Sequence, residues 1–355
     1  MLILSNEEID RLLTMPECLA TLEEMYRDLA DGQTLTMPRV DNLVPCGYDG
    51  GYYAFKQMGG IWLRRRVMAL RINSDVITHP LVDGKPRRVK VPLAGGRWVG
   101  LVELFSTETG ELLGIFPDGV IQRMRVGAAN GLGTKYIARQ DARRVGLIGS
   151  GWQAGSQVLA FLAVRRIEEI KVYSLHPAHR AAFAQEMRER TGANIRAVDS
   201  IEECVRDVDI LQCATSSMVP VVRPEWLRAG MHLGCIKTQE VDDAVLDRCE
   251  RIAVHNKMQI KEEQNVLPGT PNVPDEHLQG WWTKSDRSTS FVQLTDLISG
   301  RAPGRRDDKE ITCFVNNVGL GLQFAALGTV ILEKAKRLGL GRELSGDWFS
   351  ETVHP

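Results

Sequence analysis

Between Arg144 and Ala154 the chain reads Arg144-Val145-Gly146-Leu147-Ile148-Gly149-Ser150-Gly151-Trp152-Gln153-Ala154, a G-x-G-x-x-A pattern. An apolar run of strand length precedes the glycines and a helical pattern follows, the setting in which such a turn binds a dinucleotide. Gly149 permits a tight turn, Gly151 lets the backbone approach a pyrophosphate with no Cβ in the way, and Ala154 allows close helix–strand packing. The helix start at Ser150, Trp152 and Gln153 supplies N–H donors to the anion. These residues predict bound NAD(P). The following strand ends at Ser174, where an acidic residue normally binds the adenosine ribose. Without a carboxylate there, a 2′-phosphate is not repelled, and His176 and Arg180 could attract one, which leans the expectation toward NADP. Arg180 suits an ordinary helix-surface charge equally well. Thr215 and Ser216 follow the strand Ile210 to Ala214 and are expected to contact the cofactor, because ligands of such sheets sit at the carboxyl ends of the strands.

A turn of this kind needs a parallel sheet to hold it. From Val145 onward, short apolar strands (Val145 to Ile148, Ile170 to Tyr173, Ile195 to Val198, Ile210 to Ala214, Met231 to Cys235, Ile252 to Val254) alternate with helical stretches, which predicts a doubly wound, Rossmann-type sheet. The pattern before it differs. Residues Glu7 to Asp31 read as one amphipathic helix capped by Ser5 or Asn6. From Thr36 to Phe116, β-rich stretches separated by Gly-containing turns predict an antiparallel sheet. A small-residue helix from about Gln122 to Ala138 and a long terminal helix from Asn317 to Leu338 complete the plan. The stretch from Thr78 to Gly96 either shapes a pocket or extends a hairpin.

The 355 residues suffice for two domains, and 43% hydrophobic with 25% charged residues is the balance of a water-soluble globular chain. A net charge of -1 offers no general attraction to nucleic acid or an anionic membrane. No apolar run reaches the roughly 18 residues of a membrane span. Met1 to Glu8 lacks a secretory pattern, and the seven cysteines lack C-x-x-C spacing. A cytoplasmic protein with reduced thiols and no zinc site is expected.

Further segments flank the glycine turn. Asp118-Gly119-Val120-Ile121-Gln122-Arg123-Met124-Arg125-Val126-Gly127-Ala128-Ala129 precedes it, and Gly300 to Phe314, with Pro303-Gly304-Arg305 and Glu310-Ile311-Thr312, lies downstream. In this order they resemble the ornithine cyclodeaminase/mu-crystallin family over nearly the whole chain, from Met37-Pro38-Arg39 to the final helix. The resemblance implies a Rossmann domain, residues 126–315, inserted into an α+β substrate and dimerisation domain formed by 1–125 and 316–355, and it implies a homodimer. It implies an NAD(P)-dependent oxidoreductase acting on the C–N bond of a small amino, imino or keto acid. A cyclodeaminase that recycles its NAD and a mu-crystallin-like NADPH-dependent binder are the alternatives.

The same resemblance assigns carboxylate-binding roles to Arg39 and Arg125, whose guanidinium forks pair bidentately with a carboxylate. The family's substrate lysine corresponds either to Arg71 or to Lys56, and only a lysine can exchange a proton. The cyclodeaminase aspartate falls at Gln239, beside Glu240, which leaves Lys56 or Glu240 for proton transfer. Arg97 stands near a substrate-contacting position and suggests a second negative group on the substrate.

Overall fold

In the computed structural model, the structure describes residues 1–257, 263–271 and 290–353. Two sheets dominate. The larger runs, by strand, Glu263–Val266, Val40–Pro45, Tyr52–Trp62, Val67–Thr78, Val99–Ser106, Leu112–Pro117, Leu2–Ile3, Arg342–Glu343. Its neighbours are antiparallel except where Leu2–Ile3 lies parallel to Leu112–Pro117 and Glu263–Val266 parallel to Val40–Pro45. Strand alternation puts every second side chain on one face. Ala54, Lys56 and Met58 share the buried face with Ala69, Arg71, Asn73 and Asp75 of the adjacent strand.

The second sheet is wholly parallel, in the order Ile195–Ala197, Glu169–Tyr173, Arg144–Ile148, Ile210–Cys213, His232–Cys235, Thr312–Val315, Arg251–Val254, Val292–Gln293. The order reverses beside Arg144–Ile148, so the glycine turn opens onto the switch point of the sheet. Thr312–Val315, for which no strand is expected from periodicity, slots between two earlier strands.

One helix, Gly119–Ile137, joins the two sheets and is buried over most of its length. Its small residues make this possible: a Cβ on Gly127 would lie 2.5 Å from the Ser156 carbonyl oxygen, so the helix passes the Rossmann helix Trp152–Val164 at backbone contact. Leu322–Leu338 packs on the larger sheet, with Phe324 and Leu327 buried. It starts five residues later than expected, after a loop at Asn317 to Gly321.

The expected single helix over Glu7 to Asp31 is two, Asn6–Leu12 and Met15–Ala30. Thr14 and Glu17 form a second capping box, and Pro16 sits in the first turn, so the backbone restarts there. Among the described residues no helix is long and apolar enough to cross a membrane, and no group of His, Cys, Asp and Glu is placed to hold a metal ion.

Candidate active site

The nucleotide turn has the required geometry. Gly149 adopts φ +119°, and a Cβ there would stand 2.2 Å from the Ala214 carbonyl oxygen. Gly151, by contrast, has nothing within 4 Å of its would-be Cβ, leaving open space at the start of Trp152–Val164. The first turn of that helix has N–H groups with no acceptor inside the helix, which is what a pyrophosphate needs. The residues present therefore fit a dinucleotide. Ala154 is fully buried against the sheet, while Trp152 is exposed with the Arg123 guanidinium 4.1 Å from its ring centre. The Gln153 Oε1 is buried and unpaired.

At the adenosine end, the Ser150 hydroxyl donates to the Ser174 hydroxyl over 2.8 Å. Arg180 is buried and committed: it donates to the Ser174 carbonyl at 3.0 Å and to Asp199 at 2.8 Å. It positions the Ser174 loop, rather than reaching outward as the sequence suggested. His176 and His179 are exposed at the same rim, their rings 5.2 Å apart.

Thr215 is tied to Glu240. Both its backbone N–H and its hydroxyl donate to Glu240 Oε1, at 2.6 and 2.8 Å, while the Ile236 N–H donates to Oε2 at 2.9 Å. Glu240 is fully buried, and burial pushes its carboxyl above the usual range against the pull of Lys237 and these hydrogen bonds. Its oxygens tie together the ends of Ile210–Cys213 and His232–Cys235. Replacing Glu240 with leucine would strand those donors in the interior, at a cost of about 3 kcal/mol. Thermal unfolding and NADH titration of this variant should show a lower Tm and weaker nucleotide binding, whereas Gln239→Ala should leave both unchanged.

The basic residues gather on the buried face of the larger sheet. Arg71 donates through Nε to Asp118 at 2.8 Å, with its Nη2 2.7 Å from the same oxygen, and Asn73 adds a third donor at 2.9 Å. Asp118 directly precedes helix Gly119–Ile137 but makes no side-chain cap there, because its carboxylate is used on Arg71. Arg39 forms a two-pronged pair with Asp41 at 2.8 and 2.7 Å. Among the described residues, Arg125 is paired with no carboxylate. It donates to Gln122 at 3.1 and 2.7 Å and to Gln323 at 3.2 Å. Arg71 and Arg125 converge on Phe324, 5.5 and 5.6 Å from its ring centre. Burial and then the Arg71 charge press the Arg125 pKa down to about 9, a strain that an incoming carboxylate would relieve.

Lys56 stands opposite Asp41 on one side and Asn73 on the other, 4% exposed. Burial, reinforced by Arg88 and Arg39, holds its pKa well below the usual lysine value. Arg97 does not join this group. It is exposed on the turn it closes with Leu93.

The stretch 78–96 turns out to be a hairpin with a second contact. Leu81–Val82 pairs with Lys85–Pro86, and the hairpin then touches the cofactor crevice. The Met218 N–H donates to the Pro86 carbonyl at 3.3 Å, and the Arg88 N–H to the Ser216 carbonyl at 3.4 Å. Ser216 is therefore exposed on its side chain but held through its backbone.

Sequence reasoning missed Asp118, Asp41, Gln122 and Gln323, the partners that orient the arginines. Asp41 and Gln122 are near neighbours in sequence of the arginines they hold, whereas Asp118 and Gln323 are 47 and 198 residues away, and nothing in their spacing distinguishes any of them from surface polar residues.

Comparison with known proteins agrees with this geometry. The chain is 29% identical over 353 residues to the alanine dehydrogenase of Archaeoglobus fulgidus, covering 97% of this chain and 98% of that one. The structure of the Thermococcus litoralis Δ1-pyrroline-2-carboxylate reductase in complex with NADH and L-proline superposes with TM-score 0.78 at 27% identity, covering 97% of this chain and 100% of the other. An archaeal alanine dehydrogenase dimer with bound NAD gives TM-score 0.75 at 27% identity, covering 97% and 99%. The model of the ornithine cyclodeaminase/mu-crystallin family matches residues 1–338, and the chain belongs to that family.

Proposed function

We propose that this chain, an NAD(P)-dependent oxidoreductase acting on the C–N bond of a small amino or imino acid, holds a substrate with a single carboxylate on Arg125. The observation that carries this is the state of the cations. Arg39 and Arg71 are already paired with Asp41 and Asp118, whereas among the described residues Arg125 is charged, buried and held by neutral amide oxygens. Proton transfer falls to Lys56, because among Lys56, Arg71 and Glu240 it is the amine whose proton affinity is lowered by burial and that lies on the arginine-lined face. When bound, the nicotinamide supplies or accepts the hydride at Cα. In the reducing direction the Lys56 ammonium gives its proton to the imino nitrogen, and in the oxidising direction the amine takes one back. Gln239 in place of a carboxylate argues against the cyclodeaminase route, and the arginine cluster argues against a binder without turnover.

The chain is proposed to work as a homodimer in the cytoplasm, with residues 126–315 as the nucleotide-binding unit and 1–125 with 316–355 as the substrate unit. The reading is tested by following nicotinamide absorbance with L-alanine and L-proline plus NAD(P)+, and with the matching keto and imino acids plus NAD(P)H. Ammonia release without net cofactor change would instead reveal a cyclodeaminase. Absence of any nucleotide binding would overturn the whole reading.

NADP(H) is the proposed preference, supported by Ser174 in place of a carboxylate and by the exposed His176 and His179 at the rim. Ser174→Asp is then expected to shift the ratio of NADPH to NADH affinity toward NADH by about tenfold or more, from charge repulsion of the 2′-phosphate. Fluorescence titration with each nucleotide measures it.

A further inference from the structure

Behind Arg125 lies a chain of buried polar groups that the chemistry above does not use. Arg125 Nη1 donates to Gln323 Oε1 at 3.2 Å, and the Leu320 N–H donates to the same oxygen at 3.2 Å. Gln323 Nε2 stands 3.1 Å from the Tyr26 hydroxyl, which is 2.5 Å from His255 Nε2. His255 Nδ1 meets the Val318 carbonyl oxygen. Tyr26, His255 and Gln323 are fully buried. They come from Met15–Ala30, from the residue just after the strand Arg251–Val254, and from Leu322–Leu338.

Every proton in this chain has one possible place. The Val318 oxygen can only accept, so His255 Nδ1 carries a hydrogen. Burial keeps the ring neutral, with its pKa down to about 4, so Nε2 is an acceptor. The Tyr26 O–H must therefore donate to His255, and its oxygen then accepts from the Gln323 amide nitrogen. That fixes the Gln323 carbonyl toward Arg125. All bonds run one way, from the guanidinium to the Val318 carbonyl, and such aligned bonds polarise one another in a low-dielectric interior. The fit around Arg125 is also tight: a Cβ on Gly319 would lie 2.2 Å from Nη1.

We infer that Tyr26 and His255 are positioning residues for substrate binding: through Gln323 they fix the plane of the Arg125 guanidinium and so link the edge of the parallel sheet to the carboxylate site. This rests on Arg125 being the carboxylate clamp. The alternative is that the chain is only a satisfied core network. The two differ in what Tyr26→Phe changes. As positioning residues, Tyr26 and His255 set KM for the amino acid and leave nucleotide affinity alone. As plain core groups, they set stability and affect both ligands through it.

The experiment uses the holoenzyme with NADH or NAD+ and L-alanine or L-proline, whichever it turns over. Tyr26→Phe is expected to raise KM about tenfold, the loss of roughly one buried hydrogen bond's worth of positioning, with kcat changed less than KM and the NADH Kd unchanged. His255→Gln, whose amide can still donate to Val318 and accept from Tyr26, should retain near-normal KM, whereas His255→Leu should match Tyr26→Phe. In the background of Arg125→Ala, Tyr26→Phe should add nothing further to KM. Additive effects, or parallel losses in NADH affinity, would overturn the inference. If Arg125→Ala itself leaves KM unchanged, it is the carboxylate assignment that fails; if Arg125→Ala raises KM and Tyr26→Phe does not, the relay alone fails.

Discussion

Lys56→Met is expected to lower kcat/KM by about 10²–10⁴-fold, the range that a positioned acid–base group contributes, while NADH binding survives. Methionine keeps the unbranched apolar stem in its buried slot, so the loss reports the amine rather than packing. The pH dependence fixes the sign. Lys56 titrates well below an ordinary lysine. Reduction needs its protonated form, so the reductive rate falls as pH rises through that lowered pKa. Oxidation needs the free amine, so its rate rises over the same interval. Both limbs should flatten in Lys56→Met. Lys56→Arg keeps the charge but cannot exchange a proton at working pH, and it should not restore activity. Stopped-flow hydride transfer with saturating nucleotide separates this effect from binding. A Lys56→Met enzyme with unchanged pH limbs would show that proton transfer is done elsewhere.

Gly149→Ala is expected to abolish tight nucleotide binding and to cost about 3 kcal/mol or more of stability, because two penalties coincide. The residue sits at φ +119°, a region that L side chains rarely adopt, and its Cβ would be 2.2 Å from the Ala214 carbonyl oxygen, inside any permitted contact. Relief requires the Arg144–Ile148 and Ile210–Cys213 strands to separate at the very end where the cofactor lies. Gly151→Ala meets nothing within 4 Å, so it should fold with near-native Tm. It should still weaken NADH, since the methyl group projects where the pyrophosphate approaches. Calorimetry with nucleotide titration on both variants reads this contrast. Equal losses of stability in the two would contradict the turn geometry.

The features legible in the sequence are those written locally. The glycine turn, the βα alternation and the small-residue helix each depend on residues within one turn or one strand of each other. So does the break between Asn6–Leu12 and Met15–Ala30, since the Thr14–Glu17 capping box and Pro16 lie in plain view; helical periodicity in the flanking apolar residues obscured it. The strand Thr312–Val315 was not legible, because its place between His232–Cys235 and Arg251–Val254 depends on pairing with residues far away in sequence.

For the candidate site, residue type and resemblance named the basic groups, but not their electrical state. Lys56 and Arg71 lie on the same face of adjacent strands, so spacing alone offers both as the proton carrier. Asp118, 47 residues beyond Arg71, pairs with the arginine, which under the proposed reading leaves Lys56 as the proton carrier. Packing likewise leaves Arg97 on an exposed turn and gives Glu240 three backbone and side-chain donors from two strand ends. The sequence by itself determined that a dinucleotide would be held, and on which turn, since that recognition uses backbone N–H groups and the absence of side chains at adjacent positions. Which cations are already paired was decided only by the tertiary structure. Charge and proton affinity depend on burial and on through-space partners, and those are set when distant segments pack together.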